Sequence, residues 1–288
     1  MINWLRIQVG FVRRELRQRS IDSFAFLWCK GRIQNGPFRG MKFARIVPEH
    51  PLSAKIFGTY EEAIAPVISW MMEAGFKQFI NVGSAEGYYA IGLARSSPSV
   101  RVEAFECVHR MHSLLELIAA KNGVTHQITQ HGLADINSLQ HHLAMQPTPV
   151  LLMDIEGGER ELLNPQIVPS LAPAIILVEV HLHVHANLIE ILVSRFCHTH
   201  TILLFESTDC IENAPPRSGL TRLSFFVNER RGNGITPWLL MTPRNGFSVP
   251  EYVTKQARLL SGGLKETSCS PCGHYIGSPR NGSPMNRS

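Results

Sequence analysis

From about residue 79 onward, short and nearly continuous apolar runs alternate with segments whose apolar residues recur every three or four positions. This alternation predicts parallel βαβ units, because a strand covered on both faces by helices reads as an unbroken apolar run. The first strand is QFINV (78–82), followed by a helix from Tyr88 to Arg95. A second strand, VRVEAF (100–105), precedes a helix that places Met111, Leu114, Leu115 and Ile118 on one face and stops at Asn122-Gly123, a C-cap pair. HQITQH from 126 and PVLLMDI from 149 are the third and fourth strands, and a helix is expected over Glu159 to Val168. PAIILVEV from 173 is the fifth, backed by a helix marked by Leu188, Leu192 and Phe196. HTILLFE from 200 and RLSFFVNE from 222 complete the set. The segment between them contains Pro215-Pro216 and Gly219 and shows no helical period, so an antiparallel hairpin is expected there. The fold class is therefore α/β, with a seven-stranded, mostly parallel sheet whose last strand runs antiparallel.

Residues 1–56 are expected to form a basic N-terminal extension, 57–260 the main domain, with a helix over Glu61 to Ala74 leading into it, and 261–288 a tail. The final 28 residues hold 5 Gly, 6 Ser and 3 Pro, too little apolar surface to offset the entropy of ordering them. At 288 residues and 44% hydrophobic, the chain can bury one large core. Its net charge of +5 is concentrated near the start, where Arg6, Arg13, Arg14, Arg17 and Arg19 face only Glu15, so it is not the footprint of a nucleic-acid binder. Residues 2–18 could form a helix with Trp4, Leu5, Val9, Phe11 and Val12 among arginines. A solvated helix packed on the domain is the expectation, with a membrane-surface or partner contact as the alternative. The six cysteines are widely spaced and read as mostly reduced thiols, with Cys269 and Cys272 a tail pair. No stretch approaches the ~20 apolar residues of a membrane span, and no leader pattern stands out, so a cytoplasmic protein is expected.

Candidate chemistry gathers where the strands end. In open α/β sheets ligands bind beyond the carboxyl ends of the strands, where the strand order reverses. The turn Gly83 to Gly87 lies there, with a glycine spacing unlike that of dinucleotide folds. Glu106 follows 23 residues after Gly83, at the end of the second strand, where a carboxylate can take two hydrogen bonds from a ribose diol. MDIEGGERELL places Asp154, Glu156 and Glu159 past the fourth strand. Such carboxylates suit a sulfonium cation, a hydroxyl needing a base or a divalent ion, whereas Glu159, in a first helical turn, is expected to serve the helix dipole. In EVHLHVH, Glu179, His181, His183 and His185 would share one side of a strand, but alternate residues ~6.6 Å apart fan out instead of converging, so no metal ligands are assigned.

Gly58-Thr59-Tyr60-Glu61, NVGSAEGYY, EAFE, MDIEGGE and LVEVH together resemble the FkbM-type S-adenosylmethionine-dependent methyltransferases, of the seven-stranded class I fold, over roughly residues 57–228. The resemblance implies a cofactor, S-adenosylmethionine, held by Tyr60, Glu61, Asn81, Gly83, Ser84, Ala85, Gly87, Glu106, Ala134, Asp135 and Asp154. The glycine turn would cradle the methionine portion, Glu106 would take the ribose, and Ala134-Asp135 would lie near the adenine. Asp154, Glu156 and His181 would serve catalysis: Asp154 would line the methyl-transfer cleft, and Glu156, Glu179 and His181 are the candidate bases for an alcohol acceptor, a sugar or small-molecule hydroxyl, with His181 favoured. Asn81 and Ser84-Ala85 depart from the family's usual residues. A noncatalytic adaptor keeping the fold is the second reading, followed by a nicotinamide-dependent oxidoreductase and a metal-dependent hydrolase built on the histidines.

Overall fold

The computed structural model describes residues 16, 18–45, 52–206 and 236–261. The expected strand at 222–229, most of the helix over 2–18, and the tail with its cysteine pair lie outside the described residues. A helix over 18–28 (α1) opens the described chain, followed by Leu52–Phe57 (α2) and Ala65–Glu73 (α3). The helix expected from Glu61 is split: a single 3-10 turn spans Glu62–Ile64, and Pro66 occupies the first turn of α3, where a missing N–H costs nothing.

The alternating unit then runs largely as read, with one helix, between the third and fourth strands, that the sequence reading did not include. Gln78–Val82 (β1) leads to Tyr88–Ala94 (α4), Arg101–Phe105 (β2) to His109–Asn122 (α5), and Ile128–His131 (β3) to Ile136–Ala144 (α6). Val150–Met153 (β4) precedes Glu159–Leu162 (α7), and Ile175–Glu179 (β5) precedes Leu188–Phe196 (α8). His200–Phe205 (β6), Trp238–Pro243 (β7), Glu251–Thr254 (α9) and Arg258–Ser261 (β8) finish it. The α7 helix stops short of the expected Val168 because Asn164-Pro165 follows, and the residue before a proline is pushed out of the helical region.

Among the described residues the sheet has eight strands, not the expected seven, in the order β3-β2-β1-β4-β5-β7-β6-β8. β1 to β5 pair in parallel, while β7 is wedged antiparallel between β5 and β6. The antiparallel partner of β6 on the β5 side is thus WLLMTP. Its flanking Pro237 and Pro243 give this run the look of a loop, yet they sit only at its ends, where a proline removes no ladder bond from the centre. Trp238 is buried at the start of this strand. The additional strand, β8, extends the edge beside β6.

Period-two alternation sends successive strand residues to opposite faces. Val150 and Leu152 of β4 join a cluster under α1 to α5, while Leu151 and Met153 join one under α6 and α8, so the strand is apolar throughout. Ala25, Ile33, Phe38 and Met41 belong to the first cluster, so the described N-terminal segment shares the main core. Among the described residues no helix is long and apolar enough to cross a membrane.

Candidate active site

Register alone assembles the site. Val82 lies opposite both Phe105 and Met153, and Met153 lies opposite Val178. Gly83, Glu106 and Asp154, which follow their strands, and Glu179, the last residue of β5, therefore emerge side by side where the strand order reverses between β1 and β4.

The turn after β1 is held from both sides. The amides of Gly83 and Ser84 both donate to the Phe105 carbonyl at 2.9 Å. Gly83 has φ +81°, and a Cβ there would stand 1.7 Å from the Asp154 carbonyl oxygen, so only glycine allows β1 and β4 to approach this closely. Ala85 also adopts a left-handed backbone, φ +43°, and its amide donates to Glu106 Oε2 at 2.9 Å. The Val108 amide binds Glu106 Oε1 at 2.7 Å, so two backbone donors fix the carboxylate. An ionised carboxylate has about four acceptor sites, which leaves two for a diol. Gly87, φ +90°, packs against Ile91 and Leu115 and starts α4. Asn81 is fully buried, with its Nδ2 3.5 Å from the Leu152 carbonyl. Its Oδ1 and the Oγ of Ser84 are buried and find no hydrogen-bond partner among the described residues.

Tyr60 and Glu61 meet the start of α4, which follows this turn. The Tyr89 hydroxyl donates to the Glu61 carboxylate, and the Tyr60 ring meets Tyr88 edge-on at 5.1 Å. Lys55, which the sequence did not single out, is buried with its Nζ 4.7 Å over the Tyr60 ring and paired with Glu86, inside the glycine turn. Removing one member of such a pair strands the other charge in a low dielectric. Lys55→Met is expected to lower the unfolding free energy by roughly 3–5 kcal/mol, and Lys55→Met/Glu86→Leu by distinctly less. Urea denaturation of both variants checks this, and equal losses would count against a charge effect.

Ala134, half-buried, and Asp135, exposed, follow β3. Asp135 caps α6: its carboxylate accepts from the Ser138 amide at 2.7 Å while Ser138 Oγ accepts from the Asp135 amide at 2.9 Å. The Ser138 amide bond, aided by the Ser138 hydroxyl, holds the Asp135 carboxyl below the usual carboxylate range.

The acidic run and the histidine converge. His181 is buried, and its Nδ1 lies 2.5 Å from Glu159 Oε1. Its Nε2 faces Glu179 Oε2 at 3.5 Å, Glu156 Oε2 at 3.7 Å and Asp154 Oδ1 at 3.8 Å. Burial alone would lower the His181 pKa, but the Glu159 hydrogen bond and the charges of Glu159, Asp154 and Glu156 outweigh it, so it is raised above the ordinary 6.5. Glu159 does occupy the first turn of α7, as expected, but its side chain is fully buried and turned to His181, a task the sequence did not disclose. His181 is separated from Glu159 by 22 residues, so the only sequence signal was an acidic residue at a strand-to-helix junction opposite a histidine after the next strand.

β5 ends at Glu179, so His181, His183 and His185 occupy a turn instead of one strand face. His183 is exposed, and its Nε2 lies 3.4 Å from the same Glu156 Oε2 that faces His181, so the expected fanning, which presumed an extended strand, does not hold. One ligand atom each from Asp154, Glu179 and His181 lie within 4.8 Å of one another, as do those of Glu103, His131 and His142 elsewhere.

No protein-family model and no curated protein matches the chain. Solved structures with a similar course include an O-methyltransferase of tomaymycin synthesis from Streptomyces achromogenes, in complex with S-adenosylmethionine, at 15% identity over 62% of this chain and 78% of that one, TM-score 0.43. Another is an O-methyltransferase from Bacillus cereus, in complex with S-adenosylhomocysteine, at 11% identity over 62% and 79%, TM-score 0.43. A third is an rRNA methylase from Streptococcus thermophilus, at 12% identity over 62% and 96%, TM-score 0.44. Likeness this distant carries no reaction, cofactor or substrate over to this chain.

Proposed function

We propose that the chain is an S-adenosylmethionine-dependent methyltransferase of the FkbM type that methylates a hydroxyl of a sugar or small molecule. The observation that carries this reading is the convergence, at the one switch point of the sheet, of the Gly83–Gly87 turn, the anchored Glu106 carboxylate and the Asp154 to His181 cluster. The buried Ser84 Oγ in the turn, without a protein partner among the described residues, fits a ligand that supplies one. The antiparallel seventh strand also agrees with the fold that the resemblance implies.

In this reading the glycine turn cradles the methionine portion of the cofactor, Glu106 takes the ribose hydroxyls, and Ala134-Asp135 lie by the adenine. Asp135 spends its carboxylate on capping α6, so its part is to shape the wall. When bound, S-adenosylmethionine supplies an electrophilic methyl group. The protein's own work is then to hold an acceptor oxygen in line and to take its proton. Correct placement alone is worth several orders of magnitude. Asp154, a quarter exposed, and Glu156, largely exposed, border the opening, while His181 Nε2 is the group aimed between them. Glu159 fixes Nδ1 of the ring and leaves Nε2 to accept the acceptor's proton.

The raised His181 pKa sets the pH dependence. Only the neutral imidazole is a base, so turnover is expected to rise with pH through a value above 6.5, and Glu159→Gln should move that limb to lower pH. The same shift acts oppositely on stability: His181 contributes fully below the ordinary 6.5 and loses that contribution as pH rises through its raised folded value. A pH–rate profile of wild type and Glu159→Gln tests the assignment; coincident limbs would remove His181 from the role of base.

A further inference from the structure

Among the described residues, the core takes up one face of α1. Ala25 and Cys29 point into the core, and Ile21 and Phe26 pack against it. Leu16, Phe24, Leu27 and Trp28 are nevertheless 58%, 47%, 64% and 69% exposed: at 100° per residue Leu16 and Leu27 lie opposite Ala25 and Cys29, and Phe24 and Trp28 lie on the flank beside Ile21. Phe24 and Trp28 stack there with ring centroids 5.7 Å apart. Such a contiguous exposed patch marks an interaction surface, whereas apolar residues scattered singly do not.

Charge identifies the partner. Residues 18–45 carry six exposed cations, Arg19, Lys30, Arg32, Arg39, Lys42 and Arg45, against one acid, Asp22. Asp22 is already engaged by the Gln18 side chain and the Ser53 amide. Arg45 lies against α1, 3.4 Å from Ser23 Oγ, one turn from Leu27, and Lys30 follows the helix directly. In the sequence Arg6, Arg13, Arg14 and Arg17 add to the excess. A second copy would set two strongly positive surfaces against each other. An anionic bilayer offers negative charge for the cations and an interface at which tryptophan and phenylalanine rings lodge.

We propose that the exposed side of α1 docks the protein on an anionic lipid surface, with Phe24, Leu27 and Trp28 entering the headgroup region and Lys30 and Arg45 meeting lipid phosphates. None of these residues belongs to the candidate active site, so the proposal does not depend on methyl transfer. The test is cosedimentation of the full chain with vesicles of phosphatidylcholine alone and of phosphatidylcholine mixed with phosphatidylglycerol. The expected result is binding to the mixed vesicles that is tenfold or so weaker on phosphatidylcholine and falls with added salt. Phe24→Ser/Trp28→Ser should weaken it by roughly tenfold or more at unchanged melting temperature, since both side chains are exposed. Lys30→Glu/Arg45→Glu should weaken binding to the mixed vesicles only. Failure of the wild type to sediment with mixed vesicles, undiminished binding by Phe24→Ser/Trp28→Ser, or self-association in solution that this variant abolishes would each overturn the proposal.

Discussion

Gly83→Ala is expected to cost on the order of 3 kcal/mol or more, the sum of a left-handed backbone that disfavours any Cβ by ~1–2 kcal/mol and a main-chain collision in a packed sheet. The collision partner is the Asp154 carbonyl oxygen, 1.7 Å from the added carbon, and neither β1 nor β4 can yield without disturbing both core clusters. At about 2–4 °C per kcal/mol for a domain of this size, the melting temperature should fall by roughly 10 °C. Gly123→Ala is the control: its φ of +72° carries the same backbone penalty, but nothing lies within 4 Å of the new carbon. Thermal denaturation of the two variants separates the contact from the backbone. Equal losses would show that Gly83 matters only as a turn residue.

Asp154→Ala is expected to abolish turnover on an identified acceptor, a loss of roughly 10²–10⁴-fold if the carboxylate helps to place or deprotonate the hydroxyl. The side chain is a quarter exposed at the cleft and faces His181 Nε2, so its removal leaves the strands intact. The variant should therefore melt near the wild-type temperature while losing rate, and kinetics alongside a melting curve distinguish the two effects. Near-normal rates would exclude Asp154 from the site.

What could be read from the residues depended on whether the signal was local. β4 and β5 were plain because strands buried on both faces have no polar positions to interrupt them. β7 was hidden because Pro237 and Pro243 punctuate it, and a proline reads as a turn until its position at a strand end is known. The placement of Glu106 and Asp154 at strand ends followed from strand periodicity, and register then brings them beside Gly83. The Glu159–His181 and Lys55–Glu86 pairs were not legible. Their members are 22 and 31 residues apart, and only the folded chain brings them into contact. Both pairs are also carboxylate partners of a buried cationic or protonatable group, a requirement that becomes visible only once burial is known.

The direct test of the central claim is calorimetric titration of the folded full chain with S-adenosylmethionine, comparing wild type with Glu106→Ala. The account predicts micromolar binding by the wild type and its loss in the variant, because Glu106, held by the Ala85 and Val108 amides, is the group assigned to the ribose. Absence of binding by well-folded wild-type protein would contradict it and leave the glycine turn as a packing device between β1 and β4.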